Sequence, residues 1–166
     1  MLPTWQVIVD STCQVYVWPP GGKIMRSLRF HKNWLAVSAV IIAFFGPALT
    51  LGTMEPYSEP ARLGLQILSG PGYETRSFAE PTTRFLSALT GGFLMGWGMT
   101  LIGLRQWAFD LAPEAVRRTV LLGTLSWFCF DSTGSILSGT PWNAFFNVVV
   151  MICVIGPMWL PARTDA

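Results

Sequence analysis

Apolar positions in this chain do not recur with the period of a surface helix; they fill whole windows. No Asp, Glu, Lys or Arg occurs between Lys32 and Glu55, between Arg84 and Arg105, or between Asp131 and Arg163. At a rise of about 1.5 Å per residue, about 20 apolar residues cross a hydrocarbon core of about 30 Å. The pattern predicts four spanning helices, over about 34–52, 85–104, 115–137 and 142–160. One such stretch would fit a helix buried in a soluble core. Four of them in 166 residues leave no soluble-length segment to cover them. The predicted fold is all-α, an integral membrane four-helix bundle over residues 25–166.

Residues 1–24 read differently. Trp18-Pro19-Pro20-Gly21-Gly22 is a cluster of breakers, and the stretch has no helical period. Met25 is followed by Arg26, Arg29, His31 and Lys32 and then by the first apolar run. This arrangement predicts a translation start at Met25, with residues 1–24 a disordered upstream extension; a short cytoplasmic tail is the other reading. The first run is longer than a signal-peptide core and no small-x-small site follows it, so it reads as a retained helix. Gly46-Pro47 predicts a kink, because Pro47 has no N–H for the Ala43 carbonyl. Gly156-Pro157 repeats the pair in the fourth segment. In the loop from Thr53 to Thr83, Ser58 as a cap and Pro60 in the first turn predict a short amphipathic surface helix over Ala61–Leu68. Ser138-Gly139-Thr140-Pro141 predicts a tight turn.

Composition supports the membrane reading, with 51% hydrophobic and 12% charged residues, about half the charged share of a soluble domain. The net charge of +2 decides little, but its distribution sets a topology. Lys23, Arg26, Arg29, Lys32, Arg105, Arg117, Arg118 and Arg163 flank the segments on one side; Arg62, Arg76 and Arg84 lie on the other. The positive-inside tendency places both termini in the cytoplasm and the long first loop outside. Trp34, Trp107, Trp142 and Trp159 fall near predicted interfaces. The basic flank faces anionic lipid, so membrane lipids are expected partners and nucleic acid is not. Cys13, Cys129 and Cys153 show no C-x-x-C spacing and no His partner, so no metal site or redox pair is predicted. Cys129 and Cys153 read as small core residues.

The candidate chemistry lies in Trp127-Phe128-Cys129-Phe130-Asp131-Ser132-Thr133-Gly134-Ser135. Here a carboxylate stands at membrane depth, which costs about 2.5–3.5 kcal/mol at a helix centre unless a partner is found. Counting symmetrically from the turn at 138–141 sets Asp131 and Ser132 level with Asn147 and Val148, so Asn147 is predicted to donate its amide to Asp131. Arg84, at the outer start of the second segment, is the predicted second partner. Ser132, Thr133 and Ser135 complete the polar set. Three readings are open: a staple between the third and fourth helices, a site for a ligand, proton or quinone, or an interface to another subunit. A single carboxylate with no second acid, nearby His or metal-ligand spacing argues against hydrolysis and against a metal centre. Separately, Ala88, Gly92, Gly96 and Thr100 recur every four residues and predict a face for close helix approach, widened by Gly91 and Gly98.

Arg84-Phe85-Leu86-Ser87-Ala88 leading into Gly91-Gly92, then Met95-Gly96-Trp97-Gly98, Phe130-Asp131-Ser132-Thr133-Gly134-Ser135 and Asn143-Ala144 resemble small four-helix inner-membrane proteins of bacteria, and more loosely the DoxX-like group. The resemblance covers residues 26–160. It implies fold and inner-membrane location rather than chemistry, since these families have no settled activity. The expected function is that of an accessory or assembly partner of a larger membrane complex, not an enzyme. Other membrane subunits are the expected partners, and no cofactor is expected. The alternative is a small membrane enzyme or carrier for a lipophilic ligand, a quinone or a lipid, with Asp131 as proton acceptor.

Overall fold

The computed structural model describes residues 6–9, 15–18, 23–71 and 80–161, with side chains from Leu28 onward. Cys13, Arg76 and Arg163 lie outside the described residues, as do the side chains of Lys23, Met25 and Arg26. A short hairpin comes first: β1 (Gln6–Val9) pairs antiparallel with β2 (Val15–Trp18), Gln6 opposite Trp18 and Val9 opposite Val15. Val, Ile, Tyr and Trp favour this extended backbone. Runs of four residues are too short for alternation to register in the sequence, and no strand is expected there.

After the hairpin the described residues form five α-helices with turns between them: α1 (Lys23–Leu51), α2 (Glu59–Ser69), α3 (Pro81–Gly103), α4 (Pro113–Leu137) and α5 (Pro141–Ile155). Four segments are long and apolar enough to cross a membrane, at 24, 28, 25 and 19 residues. Even the shortest, Pro141–Trp159, reaches about 28 Å at about 1.5 Å per residue. Such a set suggests a multi-pass membrane protein.

Helix ends follow local chemistry rather than the apolar windows. α1 starts well before Trp34, because the basic flank is rich in residues that favour helix. α3 starts at Pro81, where the Glu80 carboxylate accepts from the backbone N–H groups of Thr82 (3.2 Å) and Thr83 (2.9 Å). Pro60 lies in the first turn of α2, but Ser58 does not cap it with its side chain. The Ser58 hydroxyl instead donates to the Glu55 carbonyl at 3.1 Å, closing a 3-10 turn over Glu55–Tyr57.

The spanning helices form two antiparallel pairs, α1 with α3 and α4 with α5. In the first pair the backbones nearly touch. A Cβ on Gly46 would lie 2.8 Å from the Met95 Cβ, one on Gly91 would lie 2.7 Å from the Gly46 carbonyl oxygen, and one on Gly98 would lie 2.6 Å from the Ala43 Cβ. Ser87 adds a hydrogen bond to the Leu49 carbonyl at 2.9 Å. α1 runs through Pro47 to Leu51, and Gly46 serves close packing.

Within the described chain, the close approach to α3 follows a different line from 88-92-96-100. The face that packs on α1 carries Ser87, Gly91 and Gly98, while Cβ atoms on Gly92 and Gly96 would meet nothing within 4 Å. Geometry explains the difference. Steps of four residues rotate by about 40° each, whereas a step of seven returns to within about 20° of its start. The line 88-92-96-100 therefore winds off the α1 contact that Gly91 and Gly98 keep. Thr100 bonds only within its own helix, to the Gly96 carbonyl.

The two pairs meet mainly at the end bearing the basic flank. Leu35, Ala39 and Ile42 of α1 close there on Leu101, Phe109, Val116, Val120, Val154, Ile155 and Met158. At the other end α2 bridges the pairs. Its Ala61 packs on Gly52 beyond α1, and Gly70 at its C-terminus lies against Trp142 of α5. Cys129 and Cys153 are exposed rather than in the core.

The break at Gly156-Pro157 is answered by side chains from other helices. Pro157 has no N–H for the Cys153 carbonyl; Trp34 supplies its indole N–H instead, at 3.0 Å. The chain tightens into a 3-10 turn over Gly156–Trp159, which moves N–H groups to nearer acceptors. Ser38 donates to the Val154 carbonyl at 3.1 Å, Arg117 to Met158 at 3.0 Å, and the His31 ring lies 3.4 Å from the Leu160 carbonyl. Irregular backbone at membrane depth persists only when its polar groups are served from within the protein.

Candidate functional site at Asp131

The turn at residues 138–140 sets the register of α4 and α5. Gly139 takes φ +80°, a left-handed value suited to glycine. The Ser138 and Thr140 hydroxyls both bond the Ser135 carbonyl, at 3.0 and 3.1 Å, and thereby cap the end of α4. The returning helix then carries Asn143 and Asn147 on one face, four residues apart, toward Asp131.

Both amides converge on one oxygen. Asn147 Nδ2 donates to Asp131 Oδ2 at 2.6 Å, and Asn143 Nδ2 donates to the same atom at 2.9 Å. Each Nδ2 also donates to a serine hydroxyl: Asn147 to Ser132 at 3.1 Å and Asn143 to Ser135 at 2.7 Å. Ser135 passes its own proton to the Asp131 carbonyl at 2.7 Å. Asn147 is buried at 3% exposure, while Asp131, Ser132 and Asn143 are half-buried. The set is a closed donor network around Oδ2.

Two predicted members stand outside it. Arg84 lies half-buried near the start of α3, a helix that packs on α1, and no ion pair joins it to Asp131. Thr133 is exposed on the far side of α4. One member was missed. Asn143 sits one turn from Asn147, and the i, i+4 spacing of the two amides is the signal that could have found it.

The other oxygen behaves differently. Among the described residues Asp131 Oδ1 accepts no hydrogen bond, and it is not enclosed. The enclosed polar atom without a partner is Thr124 Oγ1, two helical turns along the same face, at 1% exposure. Trp127 lies between them and meets Trp97 of α3 with ring centroids 5.8 Å apart. Among the described residues no three His, Cys, Asp or Glu side chains gather as a metal-ligand set. The chemistry on offer is that of one carboxylate and two amides. No family model, curated protein or solved structure matches this chain.

Proposed function

We propose that the chain is an accessory or assembly subunit of a larger inner-membrane complex, without an enzymatic reaction of its own, and with both termini in the cytoplasm. The outward small-residue line of α3 carries this reading. Gly92 and Gly96 present bare backbone, with room for a Cβ and nothing against it, on a helix whose other thin face is already filled by α1. Glycine weakens a helix, and hydrocarbon chains gain nothing from a thin face. A second helix does gain, because close backbone approach is what drives association in lipid. Phe93, exposed at 71%, stands beside this line, and Phe85, exposed at 64%, stands two turns before Gly92 along it, as ridges for a partner helix. The cytoplasmic placement of the termini rests on the excess of Lys and Arg at their end of the bundle. On this reading the Asp131 network locks α4 to α5 and keeps the docking helix pair in place. The test is purification of tagged protein in mild detergent, beside a Gly92→Leu, Gly96→Leu variant. A second membrane polypeptide in stoichiometric amount with the native chain, lost from the variant, supports the proposal; a native chain that elutes alone as a monomer refutes it.

A further inference from the structure

The donor count around Asp131 carries a second conclusion, independent of the subunit reading. Each asparagine amide has two protons to give. Those of Asn147 go to Asp131 Oδ2 and Ser132 Oγ, and those of Asn143 to Asp131 Oδ2 and Ser135 Oγ. Ser135 gives its proton to the Asp131 carbonyl. The four amide protons and that of Ser135 are therefore engaged within the cluster, while the Ser132 hydroxyl accepts from Asn147 and keeps its own proton to give. Beside that hydroxyl, what remains is acceptor: Asp131 Oδ1 and the amide oxygens of Asn143 and Asn147, none of which is an enclosed atom. Among the described residues no Lys or Arg pairs with the carboxylate; the ion pairs there are Lys32–Asp110, Arg62–Glu59, Arg117–Glu114 and Arg118–Glu114. An acceptor-rich cluster at membrane depth, with no cation paired to it among the described residues, selects its ligand by complement.

From this geometry we infer that Asp131 Oδ1, with the amide oxygens of Asn143 and Asn147, forms a binding site for the protonated primary amine of an amphiphile. An ammonium head brings three donors and the missing positive charge, and its alkyl body lies in hydrocarbon. Other classes fit worse. A phosphate or carboxylate head would set anion against anion. An oxidised quinone presents carbonyl acceptors to a site whose one unengaged donor is the Ser132 hydroxyl, and it leaves the carboxylate charge unbalanced. A neutral hydroxyl supplies a donor but leaves the charge unbalanced. Trp127, one turn from Asp131 along α4, meets the Trp97 ring, and indole faces of this kind attract cations.

The test uses the full chain in phosphatidylcholine nanodiscs, whose headgroup has no N–H donor. The readout is the side-chain amide NMR signals of Asn143 and Asn147 during titration with dodecylamine, dodecyltrimethylammonium or dodecanol. Dodecylamine is expected to give a saturable shift. The trimethylammonium analogue keeps the charge and loses the donors, and dodecanol keeps a donor and loses the charge. Each is expected to bind roughly ten-fold more weakly or worse, the size of a charge-assisted hydrogen bond. Replacing part of the phosphatidylcholine with phosphatidylethanolamine separates the sources. A shift with that lipid assigns an aminolipid headgroup, and a shift with dodecylamine alone assigns a free alkylamine; either supports the site. Equal binding of the trimethylammonium analogue or of dodecanol overturns it, as does the lack of any saturable shift. Asp131→Asn is expected to abolish the response. Should that variant fail to fold, the three ligands on the native chain still decide the matter.

Discussion

Trp34 Nε1 donates to the Cys153 carbonyl at 3.0 Å, the acceptor that Pro157 leaves without its helical partner. A proline-broken helix and an indole more than a hundred residues away are thus one structural unit. Trp34→Phe keeps the ring and removes the donor. It should lower stability by about 0.5–1.5 kcal/mol, the net contribution of one hydrogen bond. The check is thermal unfolding in detergent, with Trp34→Leu as a packing control expected to be at least as damaging.

Gly156 belongs to the same unit. Its φ is +45°, and a Cβ there would lie 2.3 Å from Trp34 Nε1. Gly156→Ala should therefore destabilise by more than the sparsely populated backbone conformation alone, about 1–3 kcal/mol, because the indole must also move. Combining it with Trp34→Phe should be less than additive in the same unfolding assay, since both changes break one contact.

The Asp131–Asn147 bond can be measured by a double-mutant cycle with Asp131→Ala and Asn147→Ala. Interhelical hydrogen bonds in membranes couple by about 0.6–1.7 kcal/mol. A coupling in that range is expected here from unfolding in mixed micelles. Asn143→Ala should reduce it little, since Asn147 keeps its own contact with Oδ2.

Thr124 runs the other way. Its Oγ1 is enclosed and without a partner. Removing an unsatisfied buried hydroxyl recovers part of a desolvation cost of about 1–3 kcal/mol. Thr124→Val should therefore raise the unfolding midpoint, whereas Thr124→Ala, which leaves a cavity, should lower it.

Glu80 supplies a pH dependence. Hydrogen bonds from Thr82, then from Thr83, hold its carboxyl down from 4.5 to about 2. Because the folded value lies below the unfolded one, its stabilisation is fully present above about 4.5 and is lost as pH falls through about 2. Side-chain NMR titration of Glu80 should show the low midpoint. Glu80→Ala should speed amide exchange in the first turn of α3 at neutral pH and remove this acid dependence.

Much of the architecture was legible from charge alone. The uncharged runs after Lys32, Arg84 and Asp131 located the spans, because hydrocarbon excludes charge whatever the tertiary packing. The turn at 138–141 likewise made Asn147 readable as the neighbour of Asp131. Rotational detail was not legible. Gly92 and Gly96 on one side, and Gly91 and Gly98 on the other, differ by one and two positions, and only the crossing with α1 decides which pair is used. Arg84 was expected at Asp131 from depth alone, but depth does not say which helices are neighbours, and α3 pairs with α1. The bonds from Trp34, Ser38 and Arg117 to the end of α5 join positions remote in sequence, so no local pattern announces them.

The most direct test of the subunit proposal is photo-crosslinking from inside the membrane. A photoreactive phenylalanine analogue at Phe93, on the ridge beside Gly92, is compared with the same group at Leu122, exposed at 70% on α4. The account predicts an adduct with one discrete second membrane polypeptide from position 93, lost in the Gly92→Leu, Gly96→Leu background, and lipid adducts alone from position 122. Lipid adducts alone from position 93, or an adduct only with a second copy of this chain, would contradict it.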